Sequence, residues 1–403
     1  MRNFLSLLLV CITTVSAAQV HCDGVRYIEP TFTSIDSTLD IQFGENITIG
    51  GNSKILLMDV YSPQEFFFER PLLIMAHGGS FIGGNRKQLR PLCLEMASRG
   101  YVVATINYRL FDDWSSNLDS ILASDVAIKA TMDMKAAVRW FRENAKGAND
   151  FGIDTNLIFA GGVSAGAITA LHLAYLDTLD YAQGTVVDSI IQANGGIRGT
   201  SSSNYQYSDY VRGVMNFSGA LKDARWIDAG EPVVFSAHDD RDDVVPYDRA
   251  ITNTLGTPVE LWGSFEVNEQ AREDGIRSQL ITIENSSGHV SYFMNPNSSN
   301  YDLVVDSASY FLEYEICERI NQIEPIQAPE LVLYPNPAAD LIEVRSPQPI
   351  LKIEILDANG RSISQRHLGK LQVIDVSDLS TGVYTLRMLS EEGVWMSERF
   401  VRP

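Results

Sequence analysis

The sequence predicts an α/β fold with a mostly parallel central sheet and helices on both faces, followed by a small antiparallel β-domain. Continuous apolar runs alternate with helix-like segments from Leu39 to about Glu315, as is typical of a sheet buried on both faces. Residues 323–330 (IEPIQAPE) have the composition of a linker. Residues 331–403 then show only alternating strand patterns, which predict a small antiparallel β-sandwich.

The individual elements follow from the length and periodicity of each run. Short apolar runs predict strands at 54–61, 71–76, 101–108, 156–161, 211–217, 232–236 and 280–284. Helical spacing of apolar residues predicts helices at 88–99, 120–145, 165–175 and 303–320. Because sheets of this kind bind ligands at the carboxyl ends of their strands, we expect the functional residues in the loops that follow strands.

Four segments are expected along the chain. Residues 1–18 combine an early arginine, a short apolar run and small residues up to Ala18, which predicts a secretory signal. A membrane anchor is the alternative, but the apolar run is too short to span a bilayer. The main domain is expected at 19–322, the linker at 323–330 and the β-sandwich at 331–403, where Asn359-Gly360 and residues 391–393 indicate turns.

Composition limits the functional classes. The chain has 403 residues, 45% of them hydrophobic, so a large folded core is expected. A net charge of -20 argues against nucleic acid as a partner, because phosphates would be repelled. After removal of the signal, Cys22, Cys93 and Cys317 remain. An oxidising compartment favours one disulfide and one free thiol, and all three pairings stay open.

The strongest chemical motif is Gly162-Val163-Ser164-Ala165-Gly166, between a predicted strand and a predicted helix. A serine on this sharp turn has a strained backbone and an exposed hydroxyl, and the glycines avoid clashes. We therefore predict Ser164 as a nucleophile. The amide of Ala165, at the helix amino terminus, is a candidate oxyanion donor.

A second glycine-rich loop, His77–Phe81 (HGGSF), directly follows the predicted strand 71–76. Glycines here allow backbone amides to point into the site, so Gly79 and Ser80 are the other predicted oxyanion donors. His77 precedes the predicted nucleophile in the chain. When a nucleophilic serine lies on such a strand-to-helix turn, the catalytic base follows both the serine and the acid in the sequence. We therefore predict that His77 holds the loop.

Two further loops supply an acid and a base. The run from His238 to Tyr247 contains four aspartates, of which Asp242 is the predicted triad acid, with Asp243 and Asp239 as alternatives. A solvated acidic loop or a calcium site is the other interpretation, although the spacing matches no known calcium loop. His289 lies in the loop after the last predicted strand and is the predicted base.

Residues 195–210 interrupt the alternation of strands and helices. They are rich in Gly, Ser, Asn and Tyr, which is compatible with a flap over the site or with an ordinary surface loop. Four aromatic residues are candidates to line a cleft, with plain packing as the alternative: Tyr205, Tyr207, Tyr210 and Trp262.

Residues from about 50 to 315 resemble the α/β-hydrolase superfamily, near its bacterial carboxylesterase, feruloyl-esterase-like and lipase-like branches. The resemblance lies in HGGSF at 77–81, NYRL at 107–110, GGVSAGA at 161–167 and the spacing from His238 to Tyr247. It places the family's catalytic aspartate at Asp242. The chain departs from the usual pattern with Asp239-Asp240 after His238, where Gly-Thr is common.

Residues 331–403 are similar to the type IX secretion sorting domains of Bacteroidetes. The matching stretches are LYPNP at 333–337 and DLSTGVY at 378–384. The resemblance implies a partner, the type IX secretion machinery, and export across the outer membrane to the medium or the cell surface, followed by removal of the domain. The residue pattern alone is equally compatible with a carbohydrate-binding module.

Together these patterns predict a secreted carboxylic ester hydrolase that uses a Ser-His-Asp triad and an acyl-enzyme, with no cofactor and no metal. Its expected substrates are small or polymeric esters. A serine peptidase of the same fold is the first alternative, since its triad would be identical. The second alternative is a noncatalytic surface binding protein that retained the fold.

Overall fold

A computed structural model describes residues 22–67, 69–116, 119–253, 257–321, 332–345, 350–357, 362–367, 373–390 and 395–403. Two compact units make up the chain, and the boundary between them falls between Ile320 and Asn321. The predicted signal at 1–18, the linker at 323–330 and the turns at 359–360 and 391–393 lie outside the described residues. The predicted domain boundaries therefore stay predictions.

The first unit is built on an eight-stranded sheet with the strand order β1-β2-β4-β3-β5-β6-β7-β10. The six strands from β4 to β10 are parallel, and β1 and β2 add an antiparallel edge. The strands are β1 (Ile35–Ile47), β2 (Ser53–Pro63), β3 (Arg70–Ala76), β4 (Val102–Ile106), β5 (Ile153–Val163), β6 (Gly213–Phe217), β7 (Val233–Asp239) and β10 (Ser278–Ile283).

Helices cover both faces of this sheet. They are α1 (Arg90–Ser98), α2 (Ser120–Lys146), α3 (Ala165–Tyr175), α4 (Val186–Ala193), α5 (Ser264–Glu273) and α6 (Ser299–Asn321). Along β3, Leu72 and Ile74 pack into the core that contains α2, α3 and α5, while Leu73 and Met75 pack into the core that contains α1 and α6. This two-sided burial explains the continuous apolar runs and confirms the predicted fold class.

Several elements were not predicted from the sequence. β1 is mostly exposed at the sheet edge, so it lacks an apolar run. α4 and α5 are short, and a separate hairpin is formed by β8 (Arg249–Thr252) and β9 (Val259–Trp262). The helix predicted at 88–99 begins instead with a 3₁₀ turn at Arg86–Leu89, followed by α1. No helix in the described ranges is long and apolar enough to cross a membrane.

The cysteine pairing is decided by the fold. Cys22, near the amino terminus, forms a disulfide with Cys317 in α6, across 295 residues of sequence. Cys93 is free and fully buried among apolar residues of α1 and the sheet. Of the three pairings that the sequence left open, the structure therefore has the one that links the two ends of the first unit.

Residues 195–210 pack against α2. The hydroxyl of Ser201 donates to Asp133 at 2.5 Å, and the ammonium of Lys135 donates to the carbonyl of Ile197 at 3.0 Å. Arg139, also on α2, donates to Asp209 at 3.1 Å. Of the two interpretations that the sequence left open, these bonds favour an anchored surface loop.

The second unit contains two antiparallel sheets, with the strand orders β11-β12-β15 and β14-β13-β16-β17. Its strands are β11 (Val332–Tyr334), β12 (Leu341–Arg345), β13 (Ile350–Leu356), β14 (Ser362–His367), β15 (Val373–Asp375), β16 (Gly382–Ser390) and β17 (Trp395–Arg402). Ile342 and Val344 from one sheet share an apolar core with Ile355 and Leu386 from the other. The predicted β-sandwich is thereby confirmed.

Candidate active site

Ser164 lies on the sharp turn between β5 and α3. Its φ of 55° and ψ of -119° are strained for a residue with a side chain. A Cβ on Gly162 would lie 2.3 Å from the carbonyl carbon of Gly166, and a Cβ on Gly166 would lie 2.0 Å from the oxygen of Ala76. Both positions therefore require glycine, as the sequence motif predicts.

His289 contacts the predicted nucleophile and the predicted acid at once. Its Nε2 lies 2.8 Å from the hydroxyl oxygen of Ser164, and its Nδ1 lies 2.6 Å from Oδ2 of Asp242. A carboxylate can only accept, so Nδ1 carries the proton and Nε2 is free to accept from the serine hydroxyl. In sequence, His289 is 47 positions from Asp242 and 125 positions from Ser164. The fold joins the three residues into one hydrogen-bonded chain.

Asp242 is held as a carboxylate by several donors. Its other oxygen, Oδ1, accepts from the backbone amides of Val244 and Val245 at 2.8 and 3.1 Å. Burial alone would raise the pKa of Asp242, but hydrogen bonds from His238 and His289 outweigh it and hold this pKa below its usual range. The carboxylate is therefore negative at every ordinary pH.

The neighbouring aspartates have other partners. Asp239 accepts from the hydroxyl of Ser286 at 2.5 Å and from the amide of Ser291 at 3.0 Å, which ties the loop after β7 to the loop after β10. Asp240 accepts from the amide of Ser286 at 2.9 Å, and Asp243 is exposed. Among the described residues, no group of His, Cys, Asp and Glu side chains is arranged to hold a metal ion.

The HGGSF loop lies beside Ser164. Gly79, Ser80 and Phe81 all have positive φ, at 121°, 53° and 58°. Ser80 and Ala165 line the same cavity as Ser164, and Gly79 directly precedes Ser80 in the loop. Within the described ranges, the backbone amides of Gly79, Ser80 and Ala165 have no hydrogen-bond acceptor, so they remain available to a ligand.

His77, the first residue of this loop, holds it through side-chain contacts. Its Nδ1 donates to the carbonyl of Gly78 at 2.7 Å, and its ring stacks on Tyr108 at 4.4 Å between centroids. The Tyr108 hydroxyl donates to the His77 carbonyl at 2.6 Å, and burial lowers the pKa of the His77 imidazole. These contacts are those of a residue that shapes the loop.

An apolar cavity opens at Ser164. Counted with its open mouth, it contains about 940 Å³ of space free of protein atoms. It is walled mainly by side chains of α2, α3, α4 and the β8–β9 hairpin, among them Ala127, Ile128, Ile168, Val187, Ile190, Trp226, Val245, Val259 and Leu261. Such walls suit an apolar part of a substrate.

The aromatic residues proposed for a cleft are not part of this cavity. Tyr205 lies in a separate polar groove, while Tyr207 and Tyr210 lie outside the cavity wall. Trp262 instead packs under the guanidinium of Arg249, 4.4 Å from its ring centroid. Of the two interpretations that the sequence left open for these four side chains, lining of the cavity at Ser164 is not observed.

The sequence did not predict a role at the site for two further histidines. His238, at the end of β7, lies 3.3 Å from Oδ2 of Asp242, and His172 of α3 forms part of the cavity wall. The spacing of four residues between His238 and Asp242 was a usable signal. His172 gave none, because only the fold shows that its side of α3 faces a cavity.

Comparison with known proteins agrees with this architecture. Residues 58–220 match the family model described as BD-FAE, and residues 332–401 match the model of a secretion system C-terminal sorting domain. A stretch of 147 residues, 35% of this chain, is 32% identical to esterase LipQ of Mycobacterium tuberculosis. The match spans 29% of that relative, less than a third of its length.

The fold is also similar to that of a solved esterase structure. Thermogutta terrifontis esterase 2 phosphorylated by paraoxon aligns with a TM-score of 0.50 and 20% sequence identity, over 70% of this chain and 94% of that one. At this identity the likeness concerns the fold alone. The first unit thus has the α/β-hydrolase fold. The second is a secretion sorting domain, which supports a secreted or cell-surface location.

Proposed function

We propose that this protein is an exported carboxylic ester hydrolase in which Ser164, His289 and Asp242 form a catalytic triad. The observation that carries the proposal is the continuous chain of hydrogen bonds, 2.8 Å from Ser164 to His289 and 2.6 Å from His289 to Asp242, at the mouth of an apolar cavity. The names of the LipQ and Thermogutta relatives point to the same activity.

The proposed reaction begins with attack of the Ser164 oxygen on an ester carbonyl. His289 Nε2 takes the serine proton during this attack, and the ionised Asp242 stabilises the resulting imidazolium. The proton then passes to the departing alcohol, leaving an acyl group on Ser164. Water, activated by the same imidazole, hydrolyses this acyl-enzyme and releases the acid. Every proton transfer passes through Nε2 of His289, which already lies 2.8 Å from the Ser164 hydroxyl oxygen.

The negative oxygen of the tetrahedral intermediate is assigned to the amides of Gly79, Ser80 and Ala165. The amino terminus of α3 adds a partial positive charge at the same point. Because these donors lack partners in the described structure, they need no rearrangement to bind the oxygen. One such donor is typically worth on the order of 10²–10³ in turnover.

Export is proposed to use both ends of the chain. Residues 1–18 would direct the chain out of the cytoplasm, and residues 331–403 would bind the type IX secretion machinery and then be removed. The mature enzyme would be the domain at 19–322, with 323–330 as the linker in which cleavage falls. Mass spectrometry of the protein from culture medium should find termini near residues 19 and 330. An extracellular form that retains both segments contradicts this scheme.

Labelling with a fluorophosphonate tests the enzymatic proposal, because the reagent reacts with an activated serine. The wild type should be labelled, and Ser164→Ala should lose both labelling and ester turnover while its circular dichroism is unchanged. Ser124→Ala is the matched control, since Ser124 lines the same cavity and only bonds the carbonyl of Ser120. It should be labelled like the wild type.

Matched ester and amide substrates separate an esterase from a peptidase. Faster turnover of the ester by a wide margin is expected. Labelling that persists in Ser164→Ala, or faster cleavage of the amide, would refute the assignment.

A further inference from the structure

The cavity follows one face of α3 away from the nucleophile. Ser164, Ile168 and His172 are spaced by four residues and all line it, as expected for one side of a helix. Eight residues at about 1.5 Å each place His172 roughly 12 Å along the helix from Ser164. His172 therefore lies on the cavity wall roughly 12 Å along α3 from the reacting hydroxyl.

His172 presents an unpaired hydrogen-bond acceptor. Its Nδ1 lies 2.8 Å from the backbone carbonyl of Ile168, which can only accept, so Nδ1 carries the ring proton. Nε2 is then unprotonated. In the part of the chain that the structure describes, no donor reaches Nε2, and this nitrogen is not fully enclosed by protein atoms. Because the Nδ1 edge faces the helix, the Nε2 edge faces the cavity.

The surroundings keep this ring neutral and in place. Burial, together with the nearby Lys222 charge, lowers the pKa of His172 to about 4. The ring packs edge-on against Trp226 at 5.6 Å between centroids. The rest of the wall is mainly aliphatic, as in Ile128 and Ile190.

Lys222 also lines the cavity but is already engaged. Its ammonium donates to the carbonyl of Glu260 at 3.1 Å, and the side chain is only partly buried. An anionic group on a substrate would favour Lys222, whereas a neutral hydroxyl would favour His172. The unpaired Nε2 on the cavity wall is the feature that a ligand completes.

We propose that His172 determines specificity by accepting a hydrogen bond from a hydroxyl at the far end of the acyl chain, so that the enzyme prefers esters of long ω-hydroxylated aliphatic acids. This inference rests on the proposed esterase function of Ser164. An eight-carbon acyl chain with bonds of about 1.5 Å extends roughly 10 Å, which is close to the separation of Ser164 and His172 along α3. The aliphatic wall would hold the methylenes.

Three methyl esters test the idea on the wild-type protein. Methyl 8-hydroxyoctanoate offers a donor at the chain end, methyl octanoate offers no polar group, and methyl 8-methoxyoctanoate offers only an acceptor. We expect kcat/KM for the hydroxy ester to exceed both others by about tenfold, because only a donor satisfies Nε2. Equal values, or equal preference for the methoxy ester, would overturn the role of His172.

Variants assign the preference to the residue. His172→Leu should reduce the hydroxy-to-plain ratio to about one, and His172→Gln, which keeps an acceptor, should restore part of it. Ile190→Leu is the control in the same wall without a polar atom, and its ratio should equal that of the wild type. A preference retained in a folded His172→Leu protein contradicts the proposal.

A fourth ester, monomethyl suberate, carries a carboxylate at the chain end and therefore tests whether Lys222 binds an anionic group. If it is the best substrate and the hydroxy ester is not preferred, the cavity near His172 recognises anions and the inference fails while the esterase assignment stands. If none of the esters is hydrolysed and the fluorophosphonate does not label Ser164, the esterase assignment itself fails.

Discussion

His238 and His289 both approach the same carboxylate oxygen of Asp242. Nδ1 of His289 is 2.6 Å from Oδ2, and Nε2 of His238 is 3.3 Å from it. Nε2 of His238 also lies 3.1 Å from the carbonyl of Val245, which can only accept, so this nitrogen carries a proton. Nδ1 of the same ring lies 2.7 Å from the hydroxyl of Ser264, which completes its partners.

This arrangement makes His238 a positioning residue for the acid. His238→Leu removes a hydrogen bond to a charged group, worth about 1.5–3 kcal/mol, so kcat should fall by about 10-fold to 100-fold. KM should change little, because His238 does not line the cavity. Steady-state kinetics on an activated ester measure both constants.

The conservative variant His238→Gln keeps a donor and should recover a substantial part of kcat. A purely structural role predicts a different pattern, with loss of folded protein and equal activity per folded molecule. Unchanged kcat in a folded His238→Leu protein would show that Asp242 needs no second histidine.

The glycine turn at the nucleophile offers a steric prediction. Gly166→Ala would place a Cβ 2.0 Å from the backbone oxygen of Ala76, where neither backbone can yield cheaply. We expect a loss of about 3 kcal/mol or more in the free energy of unfolding, together with loss of ester turnover. Gly83→Ala is the control, since its Cβ would meet no atom within 4 Å. Denaturant unfolding of both variants measures the difference, and equal stabilities would contradict the clash.

The cysteines should differ sharply in behaviour. Cys22→Ser removes a disulfide that spans 295 residues and should lower the free energy of unfolding by roughly 2–4 kcal/mol, because the unfolded chain gains conformational freedom.

Cys93 should resist thiol reagents in the native protein, since it is fully buried and burial raises the pKa of its thiol. A colorimetric thiol assay with and without denaturant tests this, and rapid native labelling of Cys93 would be the contrary result.

The carboxyl group of Glu231 is expected to lower the free energy of unfolding as the pH rises. Burial, with a further contribution from the carboxylates of Asp228 and Asp180, raises its pKa from 4.5 to about 7. The folded state therefore holds this proton more tightly than the unfolded state. The associated stability is fully present below pH 4.5 and is lost as the pH rises through about 7.

Glu231→Gln removes this titration. Its Tm should exceed that of the wild type at pH 8 and differ little at pH 5, as measured by thermal unfolding in matched buffers. Glu273→Gln, at an exposed carboxyl group, is the control and should leave the pH dependence unchanged. If Glu231→Gln follows the wild-type curve at every pH, the carboxyl group does not titrate as proposed.

The elements that the sequence predicted well are those buried on both faces or set by local geometry. β3, β4 and β6 are entirely buried, and their apolar runs identify them directly. β1 was missed because an exposed edge strand needs no apolar pattern. The sequence left the role of the 195–210 segment open because its attachment depends on Arg139 and Asp133 of a distant helix.

The sequence by itself determined the parallel sheet, the turn around Ser164, the chain order of the candidate acid and base, and the separate β-domain. These features are encoded in neighbouring residues, since apolar periodicity and glycine placement act over a few positions. Only the tertiary structure decided which aspartate meets His289, that Cys22 pairs with Cys317, and that His172 lines the cavity. Such contacts join segments far apart in sequence, and the packing of the whole domain sets them.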